Sequence, residues 1–155
     1  MSILLRSLLI FIAFTLAISY VSTKFPDSMC SHKSWLYRER AWEKGGLFYQ
    51  KKFKIKKWKD KLPELADFIK TIFPKKHIKD YKEATLDAYM VECCRAELTH
   101  WLIIISTLVF PLFAPPVIAL GIFLLSCILN LPFVLIQRYN RPRLRLLMKR
   151  KGYKL

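Results

Sequence analysis

Glu97 and His100 stand three residues apart in the run Arg95-Ala-Glu97-Leu-Thr-His100-Trp101. On a helix, that spacing puts both side chains on one face. A carboxylate beside an imidazole raises the basicity of the ring and fixes its tautomer, which suits a general base taking a proton from a hydroxyl. His100 and Glu97 are therefore the candidate catalytic pair, with Arg95 and Trp101 as candidate substrate contacts. The competing structural reading is an interfacial ion pair at the wet end of a membrane helix. Glu-x-x-His also occurs in di-iron bundles, but those need a second such motif and two further carboxylates. The chain holds no second Glu-x-x-His motif, so no metal and no other cofactor is expected.

The second constellation is Gln137-Arg138-Tyr139-Asn140-Arg141-Pro142-Arg143-Leu144-Arg145. Guanidinium groups recognise phosphates and carboxylates in bidentate fashion. Bare anchoring of a membrane segment would be served by lysines in any order. Gln137, Arg138, Tyr139, Asn140, Arg141 and Arg143 are thus candidate substrate contacts, and Pro142 is expected to bend the chain there. His77 and Asp80 read as surface residues.

The elements that must position these residues follow from charge. The chain has 155 residues with 27 Lys+Arg against 11 Asp+Glu, a net charge of +16, yet 54% of it is hydrophobic. Segregation resolves the conflict, because residues 7–23 and 101–137 contain no Asp, Glu, Lys or Arg. A uniformly patterned globular fold is excluded. The expected fold class is mainly α: a small integral membrane protein with an N-terminal anchor helix, a basic cytoplasmic region and a C-terminal membrane helical hairpin. About 95 residues outside the bilayer are too few for a large separate catalytic domain.

Four segments are expected. Residues 1–22 form a membrane anchor, long enough at about 30 Å to cross the hydrocarbon, and are read as uncleaved rather than as a signal peptide. Residues 23–100 form a basic cytoplasmic or interfacial region. Residues 101–137 form two apolar segments, split by Pro111 and Pro115-Pro116 into Trp101–Phe113 and Val117–Ile136. The first piece is too short to span unless its helix starts earlier or the two pieces re-enter as a hairpin. If they pair, His100 and Gln137 share one membrane level. Residues 138–155 form a basic tail. The middle region carries +7 and the tail +8, so both are placed in the cytoplasm and the N-terminus outside the cell membrane.

Within the middle region, Leu47–Lys61 has seven lysines in its last eleven positions, interleaved with Phe48, Phe53, Ile55 and Trp58. That composition suits anionic membrane lipid or nucleic acid, the flanking membrane segments favour lipid, and a short strand or extended segment is expected there. One helix is expected around Ser34–Lys44 and another over Pro63–Phe73. A third opens at Asp80-x-x-Glu83 and runs unbroken towards Pro111. Cys30, Cys93, Cys94 and Cys127 show no paired spacing and read as reduced structural cysteines.

At its two motifs the sequence resembles the bacterial glycosyl-4,4'-diaponeurosporenoate acyltransferases of staphyloxanthin-type carotenoid synthesis. Arg95-Ala-Glu97-Leu-x-His100-Trp101 and Gln137-Arg-Tyr-Asn-Arg-Pro-Arg-Leu144 carry the resemblance, and Pro26-Asp27, Trp42-Glu43-Lys44-Gly45 and Lys57-Trp58-Lys59 fit it. It implies transfer of a fatty acyl group to the primary hydroxyl of a glucose on a C30 carotenoid acid. The partners are then a fatty acyl donor and a glycosylated carotenoid or other glycolipid acceptor. Under it His100, oriented by Glu97, is the base. Arg138, Arg141 and Arg143 hold the donor's phosphate or the oxyanion, with Asn140 as a hydrogen-bond donor. No nucleophilic Ser or Cys is evident, so direct transfer is expected. The alternatives are acylation of another glycolipid, or a non-enzymatic lipid-binding or assembly protein.

Overall fold

A computed structural model describes residues 2–62 and 82–153. The helix expected over Pro63–Phe73, His77 and the capping position Asp80 lie outside the described residues. The described chain forms α1 (Ile3–Ser22), α2 (Leu47–Phe53), α3 (Glu83–Ser106) and α4 (Pro116–Arg150), with short 3-10 segments between them. It contains no strand among the described residues. Three helical stretches, Ile3–Ser22, Glu83–Leu112 and Pro116–Arg150, are long and apolar enough to cross a membrane. This is a small helical membrane protein.

The chain divides into two compact units. The first comprises the chain up to Pro26 together with Arg95–Val134. Here α1 is rich in Leu, Ile and Phe and has no internal Gly or Pro, and it is started by the Ser2 hydroxyl accepting from the Leu5 amide at 3.2 Å. Its core joins Phe11 to Ile103, Phe110, Ala119 and Ile122, with Phe14 edge-on to Phe110. Leu16, Tyr20, Leu108, Val117 and Ile128 remain exposed, as expected for side chains whose solvent is lipid.

α3 settles how the short piece Trp101–Phe113 is extended. It begins at Glu83, so its 24 residues reach about 36 Å. A 3-10 segment, Thr107–Leu112, carries it past Pro111. Pro116 then opens α4 at the first helical position, where its missing N–H is no loss.

The second unit comprises the described residues of Asp27–Cys94 and of Leu135–Leu155. One cluster packs Leu86, Tyr89, Met90 and Cys93 of α3 against Leu144 and Met148 of α4. Another packs Tyr49 and Ile55 against Ile136 and Tyr139. The four cysteines are free thiols, buried except for the half-buried Cys127.

Three expectations are corrected here. Residues 34–37 form a bend and turns and 38–40 are irregular rather than helical, and Ala41–Gly46 is a 3-10 segment in which Lys44 and Gly45 leave helical angles. The Glu43 carboxylate accepts from the Arg40 amide at 2.6 Å, which closes the segment on itself. The expected strand around Phe53–Ile55 is replaced by the end of α2, a left-handed Lys54 (φ 51°) and a 3-10 turn, Ile55–Lys57. Two alternating apolar residues with no partner strand cannot hold a sheet. The Trp58 indole donates to the Phe53 carbonyl at 2.8 Å and locks the turn. Finally, Pro142 does not bend the chain out of its helix. α4 runs through it to Arg150, converting most of the expected tail into helix. Gln137, Arg141, Leu144 and Met148 are all buried, and their helical spacing gives one face whose burial outweighs the single hydrogen bond proline removes.

Gly46 is required by close approach. A Cβ there would meet the Tyr139 carbonyl oxygen at 2.9 Å, and its φ of +84° disfavours any L side chain. Gly46→Ala is expected to cost about 1–3 kcal/mol. The thermal unfolding midpoint of the detergent-solubilised protein should fall accordingly.

Candidate functional site

Two polar centres interrupt the apolar packing, one in each unit. In the first unit, α3 carries Arg95, Glu97, Thr99, His100 and Trp101. Glu97 is buried, His100 half-buried and Trp101 exposed. Arg95 donates to the Phe25 carbonyl at 3.1 Å. The Thr99 hydroxyl donates to the Arg95 carbonyl at 2.8 Å, an ordinary helical back-bond.

His100 meets a partner that sequence reasoning missed. Its Nδ1 lies 2.8 Å from Oδ1 of Asn130 on α4, and its ring stacks on Phe133 with centroids 4.7 Å apart. The Asn130 amide nitrogen donates to the Ser126 carbonyl at 2.9 Å. A carbonyl only accepts, so the NH2 group must face Ser126 and Oδ1 must face the imidazole. Oδ1 in turn only accepts, so Nδ1 carries the proton and Nε2 is the basic atom of the neutral ring. A signal was available, because Asn130 sits in a charge-free run, where a buried amide must find partners.

The second unit holds the arginine motif. Arg138 is ion-paired with the Glu43 carboxylate at 3.6 Å and donates to the Leu36 carbonyl at 3.1 Å. Glu43, 1% exposed, also accepts from the Tyr49 hydroxyl and from the Arg40 amide. Arg141 is 5% exposed, with its guanidinium over the Tyr37 ring at 5.4 Å. Arg143 is exposed and lies over the Tyr139 ring. Tyr139 and Gln137 are buried, and neither the Tyr139 hydroxyl nor Gln137 Oε1 has a hydrogen-bond partner among the described residues. Asn140 is half-buried.

The structure thus brings Arg138 and Arg141 to one cleft and leaves Arg143 out of its lining. It adds Arg145, Tyr37, Glu43 and His32, none of which was a sequence candidate. The stretch Trp42–Gly45 gains a physical role, since Glu43 is the counter-charge of Arg138. Among the described residues no three His, Cys, Asp or Glu side chains cluster as metal ligands.

His32 is 8% exposed, and its Nδ1 faces the Asp87 carboxylate at 3.8 Å. Burial lowers its pKa below 6.5, with Lys33, Arg145 and Arg141 acting in the same direction and Asp87 opposing. The unfolded chain therefore takes up a proton that the folded chain refuses. Stability is unaffected above pH 6.5 and falls as pH drops below that value towards the folded pKa. Unfolding midpoints recorded from pH 8 to 5 should decline less steeply in His32→Gln than in the parent.

The family model for glycosyl-4,4'-diaponeurosporenoate acyltransferase matches residues 33–150. The enzymes of that name from Staphylococcus aureus strains bovine RF122 / ET3-1 and Newman are 32% and 33% identical over 140 residues, covering 88% of this chain and 84% of theirs. No solved structure matches the chain. A helical membrane protein matched over this much of its length, with both polar motifs inside the match, belongs to the glycosyl-4,4'-diaponeurosporenoate acyltransferase family.

Proposed function

We propose that this chain transfers a fatty acyl group to the primary hydroxyl of the glucose on a glycosylated C30 carotenoid acid, the last step of a staphyloxanthin-like pigment synthesis. Family membership supports an enzyme over the alternative of a non-enzymatic assembly protein. Within the structure, the hydrogen bond between His100 and Asn130 is the observation that supports the reading most, because with Nδ1 protonated Nε2 is the basic nitrogen of the neutral ring.

In the proposed reaction the sugar hydroxyl gives its proton to His100 Nε2 as its oxygen attacks the donor's acyl carbon. The new ester bond forms, the bond to the donor's leaving group breaks, and the leaving group departs with its electron pair. Glu97 supports the imidazolium as it forms. Arg138, Arg141 and Arg143 hold the donor or the developing oxyanion, with Asn140 donating a hydrogen bond. Arg95, Trp101, Gln137 and Tyr139 complete the substrate contacts.

The orientation follows the charge. Three spans would put the termini on opposite sides, and the +7 and +8 segments favour a cytoplasmic middle region and C-terminus in the cell membrane. Trp35 is 73% exposed, and Trp42 and Phe53 are exposed beside the lysine-rich turns. These residues suit contact with anionic lipid.

Loss of a general base costs about 10²–10⁴-fold in rate. His100→Ala is therefore expected to abolish acylated pigment in expressing cells while the protein still reaches the membrane, as read by mass spectrometry of extracted pigments and by fractionation. Near-normal turnover would remove the base assignment. Asn130→Leu should lower kcat and leave KM for the donor unchanged.

A further inference from the structure

The cleft of the second unit contains more cationic and hydrogen-bonding capacity than its own packing uses. Two carboxylates line it, and both are engaged. Glu39 accepts the Gly45 amide at 2.6 Å, while Glu43 takes the Tyr49 hydroxyl, the Arg40 amide and the Arg138 guanidinium. Three guanidiniums line it, from Arg138, Arg141 and Arg145. Arg145, half-buried one helical turn beyond Arg141, forms no hydrogen bond or ion pair among the described residues. His32 lines the same cleft with Nδ1 turned to Asp87, which is not part of the lining. Its Nε2 is buried and has no hydrogen-bond partner among the described residues.

A buried imidazole nitrogen without a partner, beside two arginines, is unfavourable in the empty cleft and well suited to an anion. We propose that this cleft binds a phosphoryl group, held by Arg141 and Arg145 and by a hydrogen bond from His32 Nε2. The inference rests on the proposed acyl transfer and deepens it, by making the phosphoryl group part of the acyl donor. The acceptor in that reading is a sugar ester of a carotenoid acid and carries no charge, so an anion at this site belongs to the donor. Activated acyl groups reach a membrane on phosphate-bearing thioester carriers or within phospholipids, and both present the same phosphoryl chemistry.

Proton uptake accompanies binding. Protonated His32 carries an N–H at Nε2 whichever nitrogen holds the proton of the neutral ring, and it adds a positive charge facing the anion, with Nδ1 3.8 Å from the Asp87 carboxylate. The groups facing it are Asp87, which favours protonation, and Lys33, Arg141 and Arg145, which oppose it. An incoming dianion offsets those three cations. Affinity therefore strengthens as pH falls, even for an anion whose own charge is constant.

The test uses the full chain in uncharged detergent, with sulfate and inorganic phosphate as probes in titration calorimetry. Sulfate keeps its charge from pH 8 to 5, so a gain in its affinity over that range reports the protein. Arg145→Gln should weaken sulfate binding at least tenfold, and His32→Gln should flatten its pH dependence, with far-UV dichroism unchanged in both. Sulfate affinity that is flat with pH, or equal in the parent and both variants, overturns the site. Competition then identifies the source: displacement of sulfate by coenzyme A supports a thioester carrier, displacement by phosphatidylglycerol supports a lipid headgroup, and displacement by neither overturns the donor assignment. Binding is read without turnover, so intact anion binding with no acylated product would fail the acyl-transfer reading alone. Acylation with an unchanged donor KM in Arg145→Gln would fail the site alone.

Discussion

A carboxylate removed from water must be paired, and the second unit is built around one that is. Glu43 is almost wholly buried and is satisfied by a tyrosine hydroxyl, a backbone amide and the Arg138 guanidinium. Breaking such an arrangement from one side leaves an uncompensated charge. The pairing therefore fixes the register of the Ala41–Gly46 turn against α4. Gly46 can then pass over the Tyr139 carbonyl, and Tyr139 can pack on Tyr49 and Ile55. Arg138 is consequently held from two directions, by Glu43 and by the Leu36 carbonyl.

The first unit obeys the same rule with different chemistry. Polar side chains within an apolar bundle have no water to turn to, so they satisfy one another or the backbone. Ser126, Asn130 and His100 form such a chain across α3 and α4, and Arg6 reaches the Phe113 carbonyl near the turn between those helices. The chain sets the tautomer of His100, because each link accepts or donates in only one sense. The tautomer of His100 thus has a structural cause that spacing within α3 alone could not supply.

Much of the architecture was legible beforehand. Two charge-free blocks and the punctuation by Pro111 and Pro115-Pro116 announced three apolar helices, and the absence of a breaker after Glu83 announced the long α3. Pro142 misled, because local rules see a lost hydrogen bond and cannot see that Gln137, Arg141, Leu144 and Met148 share a buried face. The Phe53 and Ile55 alternation misled for a related reason, as a period of two over so few residues is equally compatible with a 3-10 turn. His32 and Asp87, 55 positions apart, carried no local pattern at all.

Sequence alone determined the class of molecule, the family and the two motifs, since these depend on hydropathy, charge and short-range spacing. Tertiary structure decided which atoms those motifs face. Asn130 rather than sequence spacing selects the basic nitrogen of His100, and Glu43 rather than a generic membrane surface engages Arg138. Both partners lie 30 or more residues away along the chain. Hydrogen bonds and ion pairs are set by distances of a few ångströms in space, and linear order does not encode such distances until the helices have packed.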